Sequence, residues 1–156
     1  MELTKKHIRW PLIAIIVIVL SGLFHSVKSL DLQEVVKVYD ADTIEIRDGT
    51  KIRLIGVDAP EVESPYRQAE SYGIESKSYL TNMLLGGKVK IVVGEQPYDK
   101  YGRTLAFVYL GDALINGRII KDGWARAYRC FDYPYKELFI TYEKQARAKG
   151  LGMWKE

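Results

Sequence analysis

Apolar residues beyond residue 31 follow two periods, and each period predicts one type of secondary structure. Stretches rich in β-branched residues, or alternating between apolar and polar side chains, predict strands at residues 32–39, 43–47, 51–57, 89–93 and 104–110. Stretches with apolar residues at helical spacing, closed by glycine, predict helices at residues 68–85, 116–122 and 134–149. Residues 94–103, which include Pro97 and Gly102, are predicted to be a polar loop. This order of elements predicts an α+β fold of the small OB-barrel type with added helices.

The first 29 residues follow neither period. A basic stretch precedes an apolar run over residues 10–24, which has 15 positions where a membrane-spanning helix needs about 20. The segment therefore predicts a signal peptide with a weak cleavage site ending at Ser29, followed by one domain over residues 30–156. The alternative is an uncleaved anchor in which residues 10–27 contact the membrane. Either alternative predicts a secreted or membrane-anchored protein whose domain lies outside the cytoplasm.

Charge and residue content exclude several kinds of chemistry. Residues 1–29 hold four Lys or Arg and one acid, so they carry the formal net charge of +3 and the domain is close to neutral. Recognition of phosphate must then come from a local cluster rather than from general basicity. Both histidines, His7 and His25, precede the domain, which excludes a Ser-His-Asp triad, a histidine base and a histidine-ligated zinc site within it. Because Cys130 is the only cysteine, an intramolecular disulfide is also excluded.

The remaining candidates for chemistry are four polar clusters at the ends of predicted strands. They are Asp40-Ala-Asp42-Thr43, Arg53 within an apolar strand, Asp58-Ala-Pro-Glu61 and Asp99-Lys-Tyr-Gly-Arg103. Taken singly, each is explained as well by a turn, a solvated strand edge or a hairpin loop. Taken together, three acids and two arginines suit phosphodiester hydrolysis. Two carboxylates and a backbone carbonyl suit Ca²⁺, a third acid can activate water, and guanidinium groups match phosphate oxygens.

These clusters also carry a resemblance to a known family. From about Gln33 to Trp154 the sequence resembles the staphylococcal nuclease (thermonuclease) family, through V-Y-D-A-D-T at 38–43, R-L-I-G-V-D-A-P-E at 53–61, Y-G at 72–73, D-K-Y-G-R at 99–103 and G-x-W at 152–154. Each motif is short, but their joint order and spacing is specific. The resemblance implies a five-stranded OB-fold β-barrel with three helices, preceded here by the N-terminal hydrophobic segment. It further implies a Ca²⁺-dependent endonuclease that cleaves DNA and RNA to 3′-phosphate products, and we expect a monomer.

The resemblance assigns roles to individual residues. Asp42 and Asp58 resemble the carboxylate ligands of Ca²⁺, and Ala59 would contribute its backbone carbonyl. Glu61 resembles the base that acts on the attacking water. Arg53 and Arg103 resemble the phosphate clamps, and the remaining assignments are a supporting position behind the metal ligands for Asp40 and nucleotide contacts for Lys100, Tyr101 and Tyr128.

Three departures from the family pattern accompany these assignments. Ala59 stands where many relatives have threonine, which removes a hydroxyl but not the backbone ligand. Cys130 replaces a second tyrosine after Tyr128, so base stacking is expected to be weaker. The near-neutral domain predicts lower nonspecific affinity for nucleic acid. Two rival functions remain open at this point, a catalytically inactive nucleic-acid-binding module and an envelope protein whose barrel mediates protein contacts.

Overall fold

A computed structural model describes residues 32–63, 65 and 68–155. The predicted signal peptide or anchor at residues 1–29 lies outside the described residues. Within the described ranges, every helix is too short or too polar to cross a membrane.

The described strands are short, and the residues that face the barrel interior are buried. Their bounds are β1 (Gln33–Asp40), β2 (Thr43–Ile46), β3 (Lys51–Leu54), β4 (Val57–Asp58), β5 (Lys88–Tyr98), β6 (Thr104–Leu110), β7 (Ala113–Leu114) and β8 (Arg126–Ala127).

The main sheet has the order β3-β2-β1-β5-β6-β7, and its neighbouring strands are antiparallel. A parallel pairing of β3 with β6 joins the two sides of the sheet, so that β1, β2, β3, β5 and β6 close into a barrel. The two-residue strands β4 and β8 pair separately. This closed arrangement, with its helices, confirms the predicted α+β, OB-like fold.

Among the residues that the structure describes, three helices cover the barrel, and each presents apolar residues to it. They are α1 (Gly73–Leu84), α2 (Ile115–Lys121) and α3 (Lys136–Ala148), and a 3₁₀ turn follows at Gly152–Trp154. The core combines fully buried side chains from barrel and helices: Val35, Ile44, Ile52, Leu54, Val108, Leu80, Leu84, Ile119 and Phe139. Burial of one such side chain contributes about 1.5–3 kcal/mol, so these contacts hold the helices on the barrel.

Asn116, at the start of α2, stabilises the parallel pairing of β3 with β6, which we name the seam of the barrel. Its buried side-chain amide donates to the backbone carbonyls of Ile55 at 2.9 Å and Ala106 at 3.1 Å. Its side-chain oxygen accepts from the backbone N–H of Val108 at 2.9 Å. Because the partners lie on β6 and just after β3, this one side chain satisfies polar backbone groups on both sides of the seam.

The strand boundaries differ from the prediction at two places. The strand predicted at 51–57 ends at Leu54, because the chain turns at Gly56, whose φ is +78°. The loop predicted at 94–103 is wrong for residues 94–98, which extend β5 to Tyr98. A register shift between Val93 and Tyr98 accommodates these residues, including Pro97, within the strand.

The first helix begins later than predicted. It starts at Gly73 instead of residue 68, because Tyr72 has a left-handed backbone with φ 67°. A Cβ atom on Gly73 would lie 2.3 Å from the carbonyl oxygen of Glu61, so the close approach of the two segments requires glycine here. This contact fixes the beginning of the long loop that follows β4 against the start of the helix.

Candidate active site

Three neighbouring strands bring the predicted clusters together. Thr43 on β2 lies opposite Arg53 on β3, and Arg53 lies opposite Leu105 on the parallel strand β6. Arg103 directly precedes β6, so it reaches the same end of the seam. Residues separated by about fifty positions in sequence therefore become neighbours through strand register.

Asp42 lies at the centre of this region and is buried, with 7% of its surface exposed. One carboxylate oxygen accepts from the hydroxyl of Thr43 at 2.9 Å. The other accepts from the backbone N–H of Ala59 at 3.1 Å and pairs with Nη2 of Arg53 at 3.0 Å. The side chain of Asp40 accepts from the backbone N–H of Asp42 at 2.9 Å, which holds the turn that carries the carboxylate.

Burial raises the pKa of Asp42 to about 7, since a low-dielectric environment disfavours the charged carboxylate. The guanidinium of Arg53 opposes this increase, whereas the neighbouring carboxyl of Asp40 adds to it. Burial is the main cause of the raised pKa, so a cation bound beside Asp42 would stabilise its ionised form.

Arg53 is held rigidly by backbone carbonyls. Its Nη1 donates to the carbonyl oxygens of Leu54 at 2.9 Å and Val57 at 2.7 Å, while Nη2 pairs with Asp42. Only 16% of its side chain is exposed. The arginine thus also satisfies the backbone at the turn between β3 and β4, which explains why an arginine stands in so apolar a strand.

Arg103 is oriented by two partners on different parts of the barrel. Its Nε donates to Asp99 at 2.7 Å, and its Nη1 donates to the hydroxyl of Thr43 at 3.1 Å. Burial of Asp99 favours its neutral form, but hydrogen bonds from the backbone N–H and guanidinium of Arg103 outweigh it and lower the pKa of Asp99. Thr43 therefore connects the Asp42–Arg53 pair to the second arginine.

Arg53 and Arg103 line one cleft of about 350 Å³, which we name the arginine cleft. Lys100, Tyr101 and Tyr128 also line it, so five residues assigned to catalysis or nucleotide contacts lie around one space. The ring of Tyr101 lies 5.0 Å from Nζ of Lys100 and 5.6 Å from Cζ of Arg103, within the range of cation–π contacts. Cations next to an aromatic face suit a phosphate and its attached base.

Tyr128 is held at the cleft by its backbone. Its N–H donates to the carbonyl of Gly56 at 2.9 Å, and its carbonyl accepts from the hydroxyl of Tyr133 at 3.0 Å. A Cβ atom on Gly56 would lie 2.5 Å from the Tyr133 ring, so glycine permits this packing. A hydrogen bond with Cys130 raises the pKa of the Tyr128 hydroxyl, which stays protonated at neutral pH.

The predicted metal ligands are only partly brought together. Asp42 contacts the backbone of Ala59, and Asp58, the preceding residue, lies on β4 opposite Arg126. Across residues 32–63, 65 and 68–155, no group of three or more His, Cys, Asp or Glu side chains is arranged to hold a metal ion. The donors present are carboxylate and carbonyl oxygens, and this chemistry fits a hard cation such as Ca²⁺.

Glu61 lies in the loop after β4 and is partly buried. It is not among the described residues that line the arginine cleft. Its carbonyl oxygen accepts from the backbone N–H of Glu70 at 2.9 Å and abuts Gly73, so its backbone is fixed at two points.

Sequence reasoning assigned no role to Thr43, Asp99 or Asn116, although the structure uses all three to orient the site or its strands. Thr43 and Asp99 belong to the quoted motifs D-A-D-T and D-K-Y-G-R, so membership of those motifs is a signal that could have found them. Asn116 offers no such signal, since one asparagine at the start of a helix also suits an ordinary cap.

The closed barrel and its arginine cleft define the class of protein. An OB-like barrel carries, at one end, two oriented arginines, a buried carboxylate and aromatic side chains. That combination is typical of a site for a phosphorylated ligand with an aromatic base.

Comparison with known proteins identifies the family. A family model described as staphylococcal nuclease homologue matches residues 51–156. A thermonuclease from Staphylococcus intermedius is 39% identical over 125 residues, which cover 76% of this chain and 73% of that protein. A thermonuclease from Staphylococcus hyicus is 38% identical over 126 residues, covering 78% and 74%. A micrococcal nuclease from Shigella flexneri is 32% identical over 135 residues, covering 79% and 73%. The chain belongs to the staphylococcal nuclease family and is an enzyme of the nuclease type.

Proposed function

We propose that this protein is a Ca²⁺-dependent endonuclease that hydrolyses phosphodiester bonds of DNA and RNA and leaves 3′-phosphate products. The observation that carries the proposal is the arginine cleft. Arg53 and Arg103 lie around one space, and Thr43 and Asp42 link their guanidinium groups. Oriented guanidinium groups stabilise the charge that gathers on phosphoryl oxygens in the transition state, because they need little rearrangement during the reaction.

In the proposed reaction, Glu61 accepts a proton from a water molecule that attacks phosphorus. The bond from phosphorus to the 5′-oxygen breaks, and the phosphate stays on the 3′-oxygen. The departing 5′-oxygen takes a proton from a solvent water and leaves as the 5′-hydroxyl. Arg53 and Arg103 bind the nonbridging oxygens. Fixation of the Glu61 backbone by Glu70 and Gly73 supports this role, since a general base must be held in place.

Asp42, Asp58 and the carbonyl of Ala59 would hold Ca²⁺. The oxygen donors support a hard cation here, because Asp42 is buried, lies next to the Asp40 carboxyl and contacts the backbone of Ala59. Bound calcium would supply positive charge for the phosphate. The relatives named thermonuclease and micrococcal nuclease support nucleic acid as the substrate.

Lys100, Tyr101 and Tyr128 would contact the nucleotide from the walls of the arginine cleft. The exposed side chain of Cys130 beside Tyr128 supplies no ring, so Tyr128 and Tyr101 would provide the aromatic contacts. We further propose that the segment at residues 1–29 places the domain outside the cytoplasm, either as a signal peptide or as an anchor.

A plasmid-degradation assay tests the proposal. We expect the protein to degrade plasmid DNA with Ca²⁺ and to lose this activity in excess chelator. Full activity in chelator would refute the calcium requirement. Arg103→Lys should lower kcat/KM by about 10²-fold, because an ammonium group cannot bind phosphate in bidentate fashion. Arg47→Lys is the matched control, since Arg47 is an exposed arginine paired with Glu34 outside the cleft.

A further inference from the structure

Glu143, on α3, is a buried carboxylate that makes contacts through both of its oxygens. Only 1% of its surface is exposed. Its Oε2 accepts from the backbone N–H of Ala127 at 2.8 Å and pairs with Nη1 of Arg129 at 3.0 Å. Its Oε1 accepts from Nε of Arg147 at 2.9 Å and pairs with Nη2 of that arginine at 2.8 Å. Burial favours the neutral carboxyl, but the hydrogen bonds from Ala127 and the two arginines outweigh it and lower the pKa of Glu143, so the side chain is ionised at neutral pH.

The packing of α3 on the barrel does not require a carboxylate at this position. Phe139 and Ala146, the other buried residues of the helix, are apolar. Removal of a carboxylate from water costs free energy, and apolar side chains of similar size often replace a buried ion pair without loss of stability. An apolar side chain could not, however, accept a hydrogen bond from the backbone of Ala127. The contacts of Glu143 therefore indicate that it fixes the chain around residue 127.

The partners of Glu143 flank Tyr128, which lines the arginine cleft. Nη1 of Arg129 pairs with Glu143 and also donates to the carbonyl of Ala127 at 3.0 Å, so one guanidinium fixes both neighbours of Tyr128. The backbone N–H of Ala127 donates to α3, whereas that of Tyr128 donates to the carbonyl of Gly56 at 2.9 Å, in the turn between β3 and β4. The chain that carries Tyr128 is therefore held between α3 and that turn.

The two arginines that pair with Glu143 have similar exposure but belong to different parts of the fold. The exposed fraction of the side chain is 50% for Arg129 and 51% for Arg147. Arg147 lies one turn further along α3, so its pair with Glu143 stays within one helix, and its guanidinium lies 3.6 Å from the ring centroid of Trp154. Arg129 instead connects the helix to the chain that carries Tyr128. The two arginines therefore allow a matched comparison.

We propose that Glu143 is a positioning residue that holds Tyr128 in the orientation in which it contacts the nucleotide. It acts through the backbone of Ala127 and the guanidinium of Arg129. This inference rests on the proposed nuclease function and assigns part of the substrate affinity to a residue that is not among those lining the arginine cleft. Because Tyr128 would contact the nucleotide and not the reacting phosphorus, loss of its orientation should raise KM and leave kcat nearly unchanged. A purely structural role of Glu143 would lower Tm without separating KM from kcat.

The test compares Arg129→Gln with Arg147→Gln in the full chain. Each variant removes one half-exposed guanidinium from Glu143 and leaves the carboxylate in place. Steady-state kinetics on a DNA oligonucleotide with saturating Ca²⁺ give kcat and KM, and thermal melts give Tm. We expect Arg129→Gln to raise KM about fivefold with kcat within about twofold, and Arg147→Gln to lower Tm but leave KM and kcat unchanged. Arg129→Lys, which keeps the charge, should restore KM to within about twofold of the unaltered protein.

A double-mutant cycle determines whether the effect on KM passes through Tyr128. Tyr128→Leu removes the aromatic contact and should raise KM about tenfold. Addition of Arg129→Gln to Tyr128→Leu should raise KM no further, because the side chain that is positioned is absent. An unchanged KM in Arg129→Gln overturns the inference and leaves the nuclease function intact. Effects of the two changes that multiply in the double variant also overturn it, since Arg129 would then act on the substrate independently of Tyr128.

Glu143→Gln tests the carboxylate itself. The variant keeps an oxygen that can accept from the backbone of Ala127 but loses the charge that pairs with Arg129, so KM should rise about fivefold, as in Arg129→Gln. If Glu143→Gln does not fold, the comparison of the two arginine variants still decides the question, and an equal rise of KM in both of them overturns the inference. Absence of cleavage by the unaltered protein would refute the proposed function, and this inference with it.

Discussion

The hydroxyl of Thr43 offers the sharpest test of how the site is held together. It donates to the buried carboxylate of Asp42 at 2.9 Å and accepts from the guanidinium of Arg103 at 3.1 Å, and Thr43 itself is 4% exposed. Thr43→Val keeps the shape and strand preference of the side chain but removes both hydrogen bonds. Thr43→Ser keeps the hydroxyl and removes only a methyl group, so it is the matched control.

The expected magnitude follows from the burial of the two partners. A hydrogen bond to a charged group contributes about 1.5–3 kcal/mol. Above pH 7, where the buried carboxyl of Asp42 is ionised, the hydrogen bond from Thr43 contributes this full amount. The hydrogen bond from Arg103 to Thr43 contributes less to stability, because 25% of the Arg103 side chain is exposed and solvent screens its charge. Thr43→Val should therefore lower the free energy of unfolding by about 2 kcal/mol, equivalent to about 8 °C in Tm for a domain of this size.

Urea unfolding in chelator measures the loss of stability, and steady-state kinetics measure the effect on Arg103. Thr43→Val should reduce kcat/KM about tenfold, because Arg103 keeps Asp99 as a partner but loses its link to the Asp42–Arg53 pair. Thr43→Ser should cost about 1 kcal/mol for the missing methyl group and keep its activity. Equal stability and activity in the two variants would refute the linking role of the hydroxyl.

Three further predictions concern the buried carboxyl of Asp42, the close approach at Gly73 and the N-terminal segment. Burial raises the pKa of Asp42 to about 7 from 3.8, so in chelator the folded protein should lose up to about 4 kcal/mol of stability as pH rises from about 4 to about 7. Asp42→Asn should abolish this dependence of stability on pH, measured by urea unfolding. A dependence that persists in the variant would show that another group causes it. Gly73→Ala should cost about 2 kcal/mol or more and reduce activity, because its Cβ would lie 2.3 Å from the Glu61 carbonyl. Gly102→Ala, with positive φ but no atom within 4 Å, should cost only about 1 kcal/mol in the same thermal melts. Fractionation and mass analysis of the native protein should find either cleavage after Ser29 or a membrane-bound chain that keeps residues 10–27; a soluble, uncleaved chain in the cytoplasm would contradict both alternatives.

Most of the fold was predictable, because strand and helix periods are local properties of the sequence. The strand predicted at 104–110 agrees with Thr104–Leu110, and the second predicted helix differs from Ile115–Lys121 by one residue at each end. The extension of β5 through Gly94 and Pro97 was not predictable, because both residues are ordinary loop signals. Only pairing with β6 across a register shift explains why they lie in a strand.

The site was predictable in composition and only partly in arrangement. Arg53 and Arg103 belong to motifs that identify them, and the structure brings both to one cleft. The link through Thr43 depends on the register of β2 against β3, which single-sequence patterns do not specify. Packing also decides the start of α1. Helical spacing alone predicted a start at residue 68, and the close contact of Gly73 with Glu61 depends on how the loop folds back on the helix.

We propose that Glu61 activates water at a Ca²⁺-dependent phosphodiesterase site, and a comparison of two variants separates this role from a structural one. Glu61→Gln removes the proposed base, while Glu63→Gln makes the same change at an exposed position of the same loop. Single-turnover cleavage of DNA is measured with saturating Ca²⁺, and calorimetry measures Ca²⁺ binding and thermal unfolding. We expect Glu61→Gln to lose about 10²–10⁴ in rate while it keeps its fold and its calcium binding, and Glu63→Gln to match the unaltered protein. Equal cleavage rates for the two variants would contradict it.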